Sequence, residues 1–321
     1  MHSSPKAPLT AANVVITPGA IMANYLVLAA ICGPNDHIVC QYPTYGQLYL
    51  LPRYKGVDVS LWAMNEKDNW SSDVAELASM IKPNTKAIII NNPNNPTGAV
   101  ISKDKLEEIL ALAQERGIVV FSDEVYSPLF HTSNRPPPLV SLGYNRTIST
   151  GSVSKAHGLP GLRVGWVVSQ NAEILRRVTT LRDYTTTSVS QLDDSVAAFA
   201  LSEEVLPQLM QQNMQICAES IVILDEFVKR NARRCRWAKP DGAATAFVQI
   251  LNEDGSATDD VAFSKQLAEQ EGIVVLPGGY CFGEPGANGL RGYIRLPLGQ
   301  PRLLDAALET LEKFIHKQTH F

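Results

Sequence analysis

The sequence predicts an α/β fold in which helices cover both faces of a mostly parallel sheet, followed by a smaller C-terminal α+β domain. Short β-rich runs alternate with helical patterns through the first two-thirds of the chain, as in parallel sheets whose strands are joined by helices. The runs Lys86–Ile90 and Ile118–Phe121 are continuously apolar, which is typical of strands buried on both faces. Beyond Leu201 a long helical pattern replaces this alternation, which indicates a second domain.

The elements of the first part have recognisable boundaries. Ser102 can cap the helix that Gly117 ends, and Gly56 can close another helix. The predicted strands are Val14–Thr17, Ile38–Gln41, Val57–Trp62, Lys86–Ile90, Ile118–Ser122, Thr147–Ser149 and Val164–Val168, and the predicted helices are Ile21–Ala30, Gln47–Tyr54, Val74–Ile81 and Lys103–Arg116.

The C-terminal part is predicted to be α+β, and its long first helix joins the two domains. We expect a large domain over residues 13–220 and a small C-terminal domain over residues 221–321. The predicted helices are Val205–Arg230, Asp259–Gln270 and a terminal helix from Leu303, and the predicted strands are Ala246–Ile250, Ile273–Leu276 and Tyr293–Leu296.

Composition and charge favour a small-molecule partner. A chain of 321 residues that is 45% apolar can bury a substantial core. A net charge of -4 gives no field that attracts nucleic acid or an anionic membrane, and no apolar stretch approaches the length of a membrane-spanning helix. The histidines show no metal-ligand spacing, so no metal site is predicted. The five cysteines are too scattered for a disulfide scaffold, so we expect a cytoplasmic protein.

Polar segments follow three of the predicted strands. They are Asn91–Gly98, Ser122–Tyr126 and Ser149–Lys155. Ligands of α/β sheets bind where strands end, so a carboxylate, a phenol and a lysine could converge there on one small ring. Each segment alone is a weak signal, because Asn-Pro-Thr-Gly is an ordinary turn and an Asp at a strand end often caps a helix.

Five short motifs, taken in order, resemble the class I/II aminotransferases of fold type I, the aspartate aminotransferase superfamily. They are Asn-Pro-Thr-Gly from Asn95, Asp-Glu-Val-Tyr from Asp123, Ser-Val-Ser-Lys ending at Lys155, Gly-Leu-Arg-Val-Gly-Trp from Gly161, and Ile-Arg-Leu around Arg295. The similarity runs from about Val14 to the C-terminus. It implies the pyridoxal-phosphate (PLP)-dependent transferase fold, the cofactor pyridoxal 5'-phosphate, an amino acid and a 2-oxo acid as substrates, and a homodimer. It also implies that an N-terminal segment of the family is absent before Val14.

The resemblance assigns catalytic roles to Lys155, Asp123 and Tyr126. Lys155 would hold the cofactor as a Schiff base, the internal aldimine, and would then move the proton of the substrate Cα. Burial and neighbouring positive charge would have to lower its pKa from about 10.4. Asp123 would keep the ring nitrogen protonated. Tyr126 and Asn95 would donate hydrogen bonds to the phenolic oxygen of the cofactor, and Tyr45 would stack on its ring.

Two anionic groups are expected to bind at separate places. The cofactor phosphate would lie at the start of the first helix, where free N–H groups make an anion site. Arg295 in the small domain would bind the substrate α-carboxylate. The predicted cofactor-binding residues are Gly19, Ala20, Ile21, Tyr45, Asn95, Asp123, Tyr126, Ser152, Lys155 and Arg163, and the predicted substrate-binding residues are Asn95 and Arg295.

Two further expectations concern the substrate. Gly278, Gly279 and Gly283 resemble the family's flexible loop before the strand of Arg295. The segment Thr185–Ser190 lacks the arginine with which dicarboxylate-specific members bind a side-chain carboxylate. We therefore expect that aspartate and glutamate are not specially favoured amino donors.

Two other functions stay open beside amino transfer. The stretch Tyr45–Gly98 is also similar to capreomycidine-synthase-like proteins, so a PLP-dependent lyase or cyclase that performs elimination, replacement or cyclisation is the second possibility. The third is a truncated, non-catalytic aminotransferase-like protein. Neither a nucleic acid nor a membrane is expected as a partner.

Overall fold

The computed structural model describes residues 8–284 and 289–317. Its strands are β1 (Val14–Thr17), β2 (His37–Tyr42), β3 (Asp58–Asn65), β4 (Ser71–Ser72), β5 (Thr85–Asn91), β6 (Val119–Asp123), β7 (Thr147–Ser152), β8 (Gly165–Val168), β9 (Cys235–Trp237), β10 (Thr245–Ile250), β11 (Leu276–Pro277) and β12 (Tyr293–Pro297). Its helices are α1 (Ala20–Ile31), α2 (Gln47–Tyr54), α3 (Val74–Met80), α4 (Lys103–Arg116), α5 (Ala172–Asp183), α6 (Gln191–Ala200), α7 (Leu206–Arg230), α8 (Asp260–Glu271), α9 (Gly278–Phe282) and α10 (Pro301–Lys317).

The larger sheet is mostly parallel, as predicted. Within the described ranges it has eight strands in the order β1-β8-β7-β6-β5-β2-β3-β4. Strands β3, β2, β5, β6 and β7 pair in parallel, whereas β8 is antiparallel to both of its neighbours, β7 and β1. Strand β1 therefore runs in the same direction as the parallel strands.

Helices cover both faces of this sheet. A separate hydrophobic core lies between the sheet and the helices on each face. On one face Leu26 of α1 and Val178 of α5 pack with Phe121 of the sheet. On the other face Leu77 of α3 and Ile109 of α4 pack with Ile88. The continuously apolar strands are thus buried from both sides, which confirms the predicted α/β class.

A second sheet lies in the C-terminal part, in the order β11-β12-β10-β9. Its core joins Val248 and Ile294 to Phe227 of α7 and Phe314 of α10. Helix α7 continues without a break through residues 220 and 221, where the domain boundary is predicted. That boundary stays a prediction, and the last four residues of the predicted small domain lie outside the described part.

Some elements differ from the sequence prediction. Helices α5 and α6 and the short strands β4 and β9 were not predicted. Of the predicted strand Ile273–Leu276, only Leu276 joins the sheet, as part of β11. The segment of Gly278 and Gly279, expected as a flexible loop, is the short helix α9. A Cβ on Gly278 would lie 2.6 Å from the Cβ of Tyr293, so this glycine allows close packing.

Among the helices of the described residues, none combines the length and the apolar character that a membrane span needs. The five cysteines are free thiols.

Candidate active site

The carboxyl ends of four strands meet at one edge of the large sheet. Because β1, β5, β6 and β7 run in the same direction, Thr17, Asn91, Asp123 and Ser152 end them at this edge. Strand β8 runs in the opposite direction, so Arg163, which lies two residues before it, is brought to the same edge. The topology therefore gathers segments that are far apart in the sequence.

A cavity of about 460 Å³ lies at this edge. Of the predicted site residues, all except Gly19 line it. Gly19 precedes α1, and a Cβ on it would lie 2.5 Å from Nη2 of Arg163. Six lining residues were not predicted from the sequence: Asn24, Asn91, Val125, Ser154, Pro160 and Leu276.

Asp123 lies at the buried end of the cavity and is 2% exposed. Oδ2 of Asp123 accepts a hydrogen bond from Nδ2 of Asn24 at 2.8 Å, and Oδ1 accepts one from the backbone N–H of Val125 at 3.0 Å. No cation among the described residues forms an ion pair with it. Burial raises the pKa of this carboxyl, and the hydrogen bond from Asn24 opposes that shift. A cationic group in the cavity would stabilise the ionised form.

Lys155 follows β7 and reaches the same cavity. Burial lowers the pKa of its amine, and the charges of Arg295 and Arg163 lower it further. Each cause disfavours the protonated form, so the amine loses its proton more readily than a lysine in open solvent. This is the environment that a lysine nucleophile or base requires.

Tyr126 is buried beside these two groups. Burial raises the pKa of Tyr126 to about 12, so its phenol keeps the proton near neutral pH. A protonated phenol can donate a hydrogen bond to an anionic oxygen in the cavity.

The start of α1 lies at the cavity, and its first N–H groups are available to an anion. Gly19 caps this helix with φ of +78°, and no side chain caps its first N–H groups. Nη1 of Arg163 donates to the backbone oxygen of Pro160 at 3.0 Å and to Oγ of Ser154 at 3.4 Å. The N–H of Ser154 in turn donates to Oγ of Ser152 at 3.2 Å. The positive charge of Arg163 and the uncapped N–H groups of α1 thus lie at the same part of the cavity.

Arg295 closes the cavity from the small sheet. Its Nη1 donates to Oδ1 of Asn95 at 3.1 Å, and its guanidinium lies 5.5 Å from the ring centre of Phe282. Within residues 8–284 and 289–317, no acidic side chain forms an ion pair with Lys155, Arg163 or Arg295. Two arginines without an ion-pair partner and the Lys155 amine therefore line the same cavity as the buried carboxyl of Asp123.

Two of the unpredicted residues hold predicted ones in place. Asn24 donates to Asp123, and it is the only amide side chain in α1, which is otherwise almost entirely apolar. Nδ2 of Asn91 donates to the backbone oxygen of Asp123 at 2.9 Å, while its Oδ1 accepts from the N–H of Asn95 at 2.7 Å. A lone buried amide in an apolar helix was the sequence signal for Asn24, because such a group needs a partner.

Comparison with known proteins identifies the family. Residues 1–311 match the model for aminotransferase class I and II. The chain is 27% identical to tyrosine aminotransferase of Mus musculus, across 99% of this chain and 70% of that protein. It is 30% identical to capreomycidine synthase of Streptomyces vinaceus, across 83% of this chain and 66% of that protein.

Solved structures agree with this assignment. A PLP-dependent aminotransferase from Streptococcus suis is 34% identical and superposes with a TM-score of 0.86, across 95% of this chain and 77% of that one. The aromatic aminotransferase of Pyrococcus horikoshii is 26% identical with a TM-score of 0.84, across 95% and 80% of the two chains. The chain therefore belongs to the class I and II aminotransferases and is a pyridoxal-phosphate-dependent enzyme.

Proposed function

We propose that this aminotransferase moves the amino group of an apolar or aromatic amino acid to a 2-oxo acid, with Lys155, Asp123 and Tyr126 as catalytic residues. The observation that supports it most is the single cavity in which an amine of lowered pKa, a buried carboxylate and two unpaired arginines lie together. These groups match an anionic, ring-nitrogen-containing cofactor and a carboxylate substrate.

The residues fit pyridoxal phosphate at both ends of the cavity. Asp123 has no cationic partner among the described residues. A protonated ring nitrogen of the cofactor would supply that partner. The α1 start, Ser152 and Arg163 would bind the phosphate, for which the planar arginine fork is well suited. When bound, the cofactor supplies an aldehyde that condenses with amines and a ring that takes up the electrons of a broken Cα bond.

The side chains of this chain would perform the remaining tasks. The Lys155 amine would hold the cofactor and, once released by the amino acid, take the proton from the substrate Cα. The lowered pKa of Lys155 leaves more of the amine free to do so. Tyr126 and Asn95 would donate to the phenolic oxygen of the cofactor, and Tyr45 would cover the face of the ring.

The substrate would bind between Arg295 and an adjoining cavity. That cavity measures about 540 Å³, and Tyr45, Leu276 and Arg295 line both spaces. Its other walls include Leu50 and Phe282, and among the described residues Arg295 is the only charged side chain that lines it. If Arg295 binds the α-carboxylate, no lining cation is left for a second carboxylate. An apolar or aromatic side chain therefore fits best.

The first experiment tests the cofactor role of Lys155. Purified protein incubated with pyridoxal phosphate should show the visible absorbance of a lysine-bound cofactor, and Lys155→Ala should lack it. Lys82→Ala is a control, since Lys82 lies at the surface and pairs with Asp58. Equal absorbance in Lys155→Ala and the wild type would remove Lys155 from this role.

The second experiment tests the reaction and the substrate class. Phenylalanine or leucine should be used with kcat/KM about tenfold or more above that for aspartate, because the adjoining cavity lacks a second cation. Leu50→Arg, which adds a cation there, should narrow this difference. A preference of the wild type for aspartate would contradict the proposal. Formation of a 2-oxo acid supports amino transfer, whereas release of ammonia or a cyclic product would support the lyase or cyclase alternative.

We also propose a cytoplasmic homodimer. Helix α6 exposes Leu192, Val196 and Phe199 along one face, while its other face packs beside Val153 and Val164, close to Lys155 and Arg163. An exposed apolar helix face of this kind is suited to a second copy of the chain. The free thiols support a reducing compartment.

A further inference from the structure

Two side-chain hydrogen bonds in series connect Thr150 to Asn24 and Asn24 to Asp123. Oγ1 of Thr150, on β7, donates to Oδ1 of Asn24 at 2.7 Å. Nδ2 of Asn24, on α1, donates to Oδ2 of Asp123 at 2.8 Å. All three side chains are buried, with exposures of 0%, 1% and 2%. Water therefore does not replace these bonds easily if one of them is lost.

Which group donates in each of these two hydrogen bonds matters for the charge of Asp123. An asparagine amide can present either its NH₂ group or its oxygen to a neighbour. In this structure the Thr150 hydroxyl donates to the amide oxygen, and the NH₂ group is turned toward Asp123. The opposite orientation would place an amide oxygen against a carboxylate, which repels the ionised form. The two hydrogen bonds, in the orientation observed, thus favour an ionised Asp123.

Few other groups of the described structure stabilise the negative charge of the Asp123 carboxylate. The remaining hydrogen bond to the Asp123 side chain comes from the backbone N–H of Val125. The Asn24 NH₂ has one further neighbour, Oε1 of Gln47 at 3.4 Å, which is long for a hydrogen bond. Helix α1 contributes no charged group near this point, because Asn24 lies among apolar residues. Asn24 is therefore the one side-chain donor to Asp123 in the described structure.

We propose that Asn24 and Thr150 are positioning residues that keep Asp123 ionised and oriented toward the ring nitrogen of the cofactor. This inference rests on the proposed role of Asp123. Loss of the Asn24 donor leaves a carboxylate that competes for the proton of the ring nitrogen. The ring then carries less positive charge, and the nitrogen of Lys155 joined to the cofactor holds its own proton to higher pH.

The experiment compares four variants in cofactor affinity and in the pH midpoint of the visible absorbance of the lysine-bound cofactor. Asn24→Ala should weaken pyridoxal phosphate binding about tenfold and raise the pH midpoint, because it removes a charge-assisted hydrogen bond. Thr150→Val keeps the shape but lacks the hydroxyl and should shift both values in the same direction by a smaller amount. Thr150→Ser keeps the hydroxyl and should resemble the wild type. Asn231→Ala, a buried asparagine of the small domain that is 3% exposed, should change neither value.

The outcomes distinguish a variant that does not fold, a wrong inference and a wrong proposed function. Thermal unfolding of each apoprotein shows whether a variant is folded, and the Thr150→Val and Thr150→Ser pair keeps the test valid if Asn24→Ala does not fold. An unchanged pH midpoint in Asn24→Ala, or identical behaviour of the two Thr150 variants, overturns the inference. A wild type without lysine-dependent absorbance overturns the proposed function, and this inference with it. Normal wild-type absorbance with unaltered variants overturns the inference alone.

Discussion

Two consecutive acidic residues, Asp123 and Glu124, have different surroundings. Asp123 ends β6 and lines the cavity. Oε1 of Glu124 instead accepts a hydrogen bond from the backbone N–H of Leu139 at 2.9 Å. Burial raises the pKa of Glu124 to about 7, while the Leu139 N–H opposes that shift. Glu124 is therefore a pH-sensitive group beside the site that takes no part in the proposed chemistry.

Glu124→Gln should remove a pH dependence of stability. A raised pKa means that between about pH 4.5 and pH 7 the folded chain binds more protons than the unfolded chain, so the stability of the wild type falls as pH rises through this interval. Glutamine does not titrate and can still accept from Leu139. Its stability relative to the wild type should increase by about 2 kcal/mol from pH 5 to pH 8. Urea unfolding of both apoproteins at several pH values measures this.

A constant difference between the two proteins across this pH range would contradict the prediction. Glu108→Gln serves as a control for the substitution itself, because Glu108 lies on the exposed face of α4.

At the residue scale, the sequence motifs predicted the titratable groups that line the cavity but not the buried groups that hydrogen-bond to them. Lys155, Asp123 and Arg163 lie in recognisable motifs and meet in one cavity. Asn24 and Thr150 lie in no motif, and their contact spans 126 positions of the chain. Such pairs depend on how α1 lies over β6 and β7, which side-chain periodicity does not determine. Their roles stay predictions until they are tested.

At the scale of elements, the site depends on close contact between β8 and the start of α1. A Cβ added to Gly165 of β8 would lie 2.5 Å from the carbonyl carbon of Gly19 and 2.7 Å from the N of Ala20. Both are backbone atoms, so they cannot move aside as a flexible side chain would. The glycine at this position allows the helix start to approach the strand.

Gly165→Ala should therefore displace the start of α1 and weaken binding of pyridoxal phosphate by about tenfold, equivalent to 1.4 kcal/mol. Equilibrium dialysis or fluorescence titration measures the change in Kd. Gly161→Ala is a matched control, because a Cβ there meets no atom within 4 Å. Equal affinity in the two variants would show that the phosphate does not depend on this contact.

The sequence predicted most elements of the large sheet because their apolar runs are long and clearly bounded. Helix α4 and helix α2 have the predicted limits. The direction of β8 was not predicted, because Gly165–Val168 is equally apolar in either orientation. Helix α6 was missed because its exposed apolar residues obscure the usual division between a polar and an apolar face.

At the scale of the whole molecule, the outer face of α6 is an apolar surface that the described chain does not cover. Leu192, Val196 and Phe199 are spaced by four and three residues, so they lie on one side of the helix, and they are 81%, 48% and 65% exposed. Ala197 and Ala200 of the same helix are buried against the rest of the chain. Since α6 also packs against the segment before Arg163, an interface there would support the phosphate end of the cavity.

We expect the wild type to be a dimer in solution and the double variant Val196→Glu with Phe199→Glu to be a monomer, because charges on this face would have to be desolvated on association. Sedimentation equilibrium measures the mass, and circular dichroism confirms that the variant is folded. Val261→Glu is the control, because Val261 on α8 is equally exposed at 48% but lies away from α6. A double variant that stays dimeric would place the interface elsewhere. A monomer that also binds pyridoxal phosphate more weakly would link assembly to the phosphate end of the site.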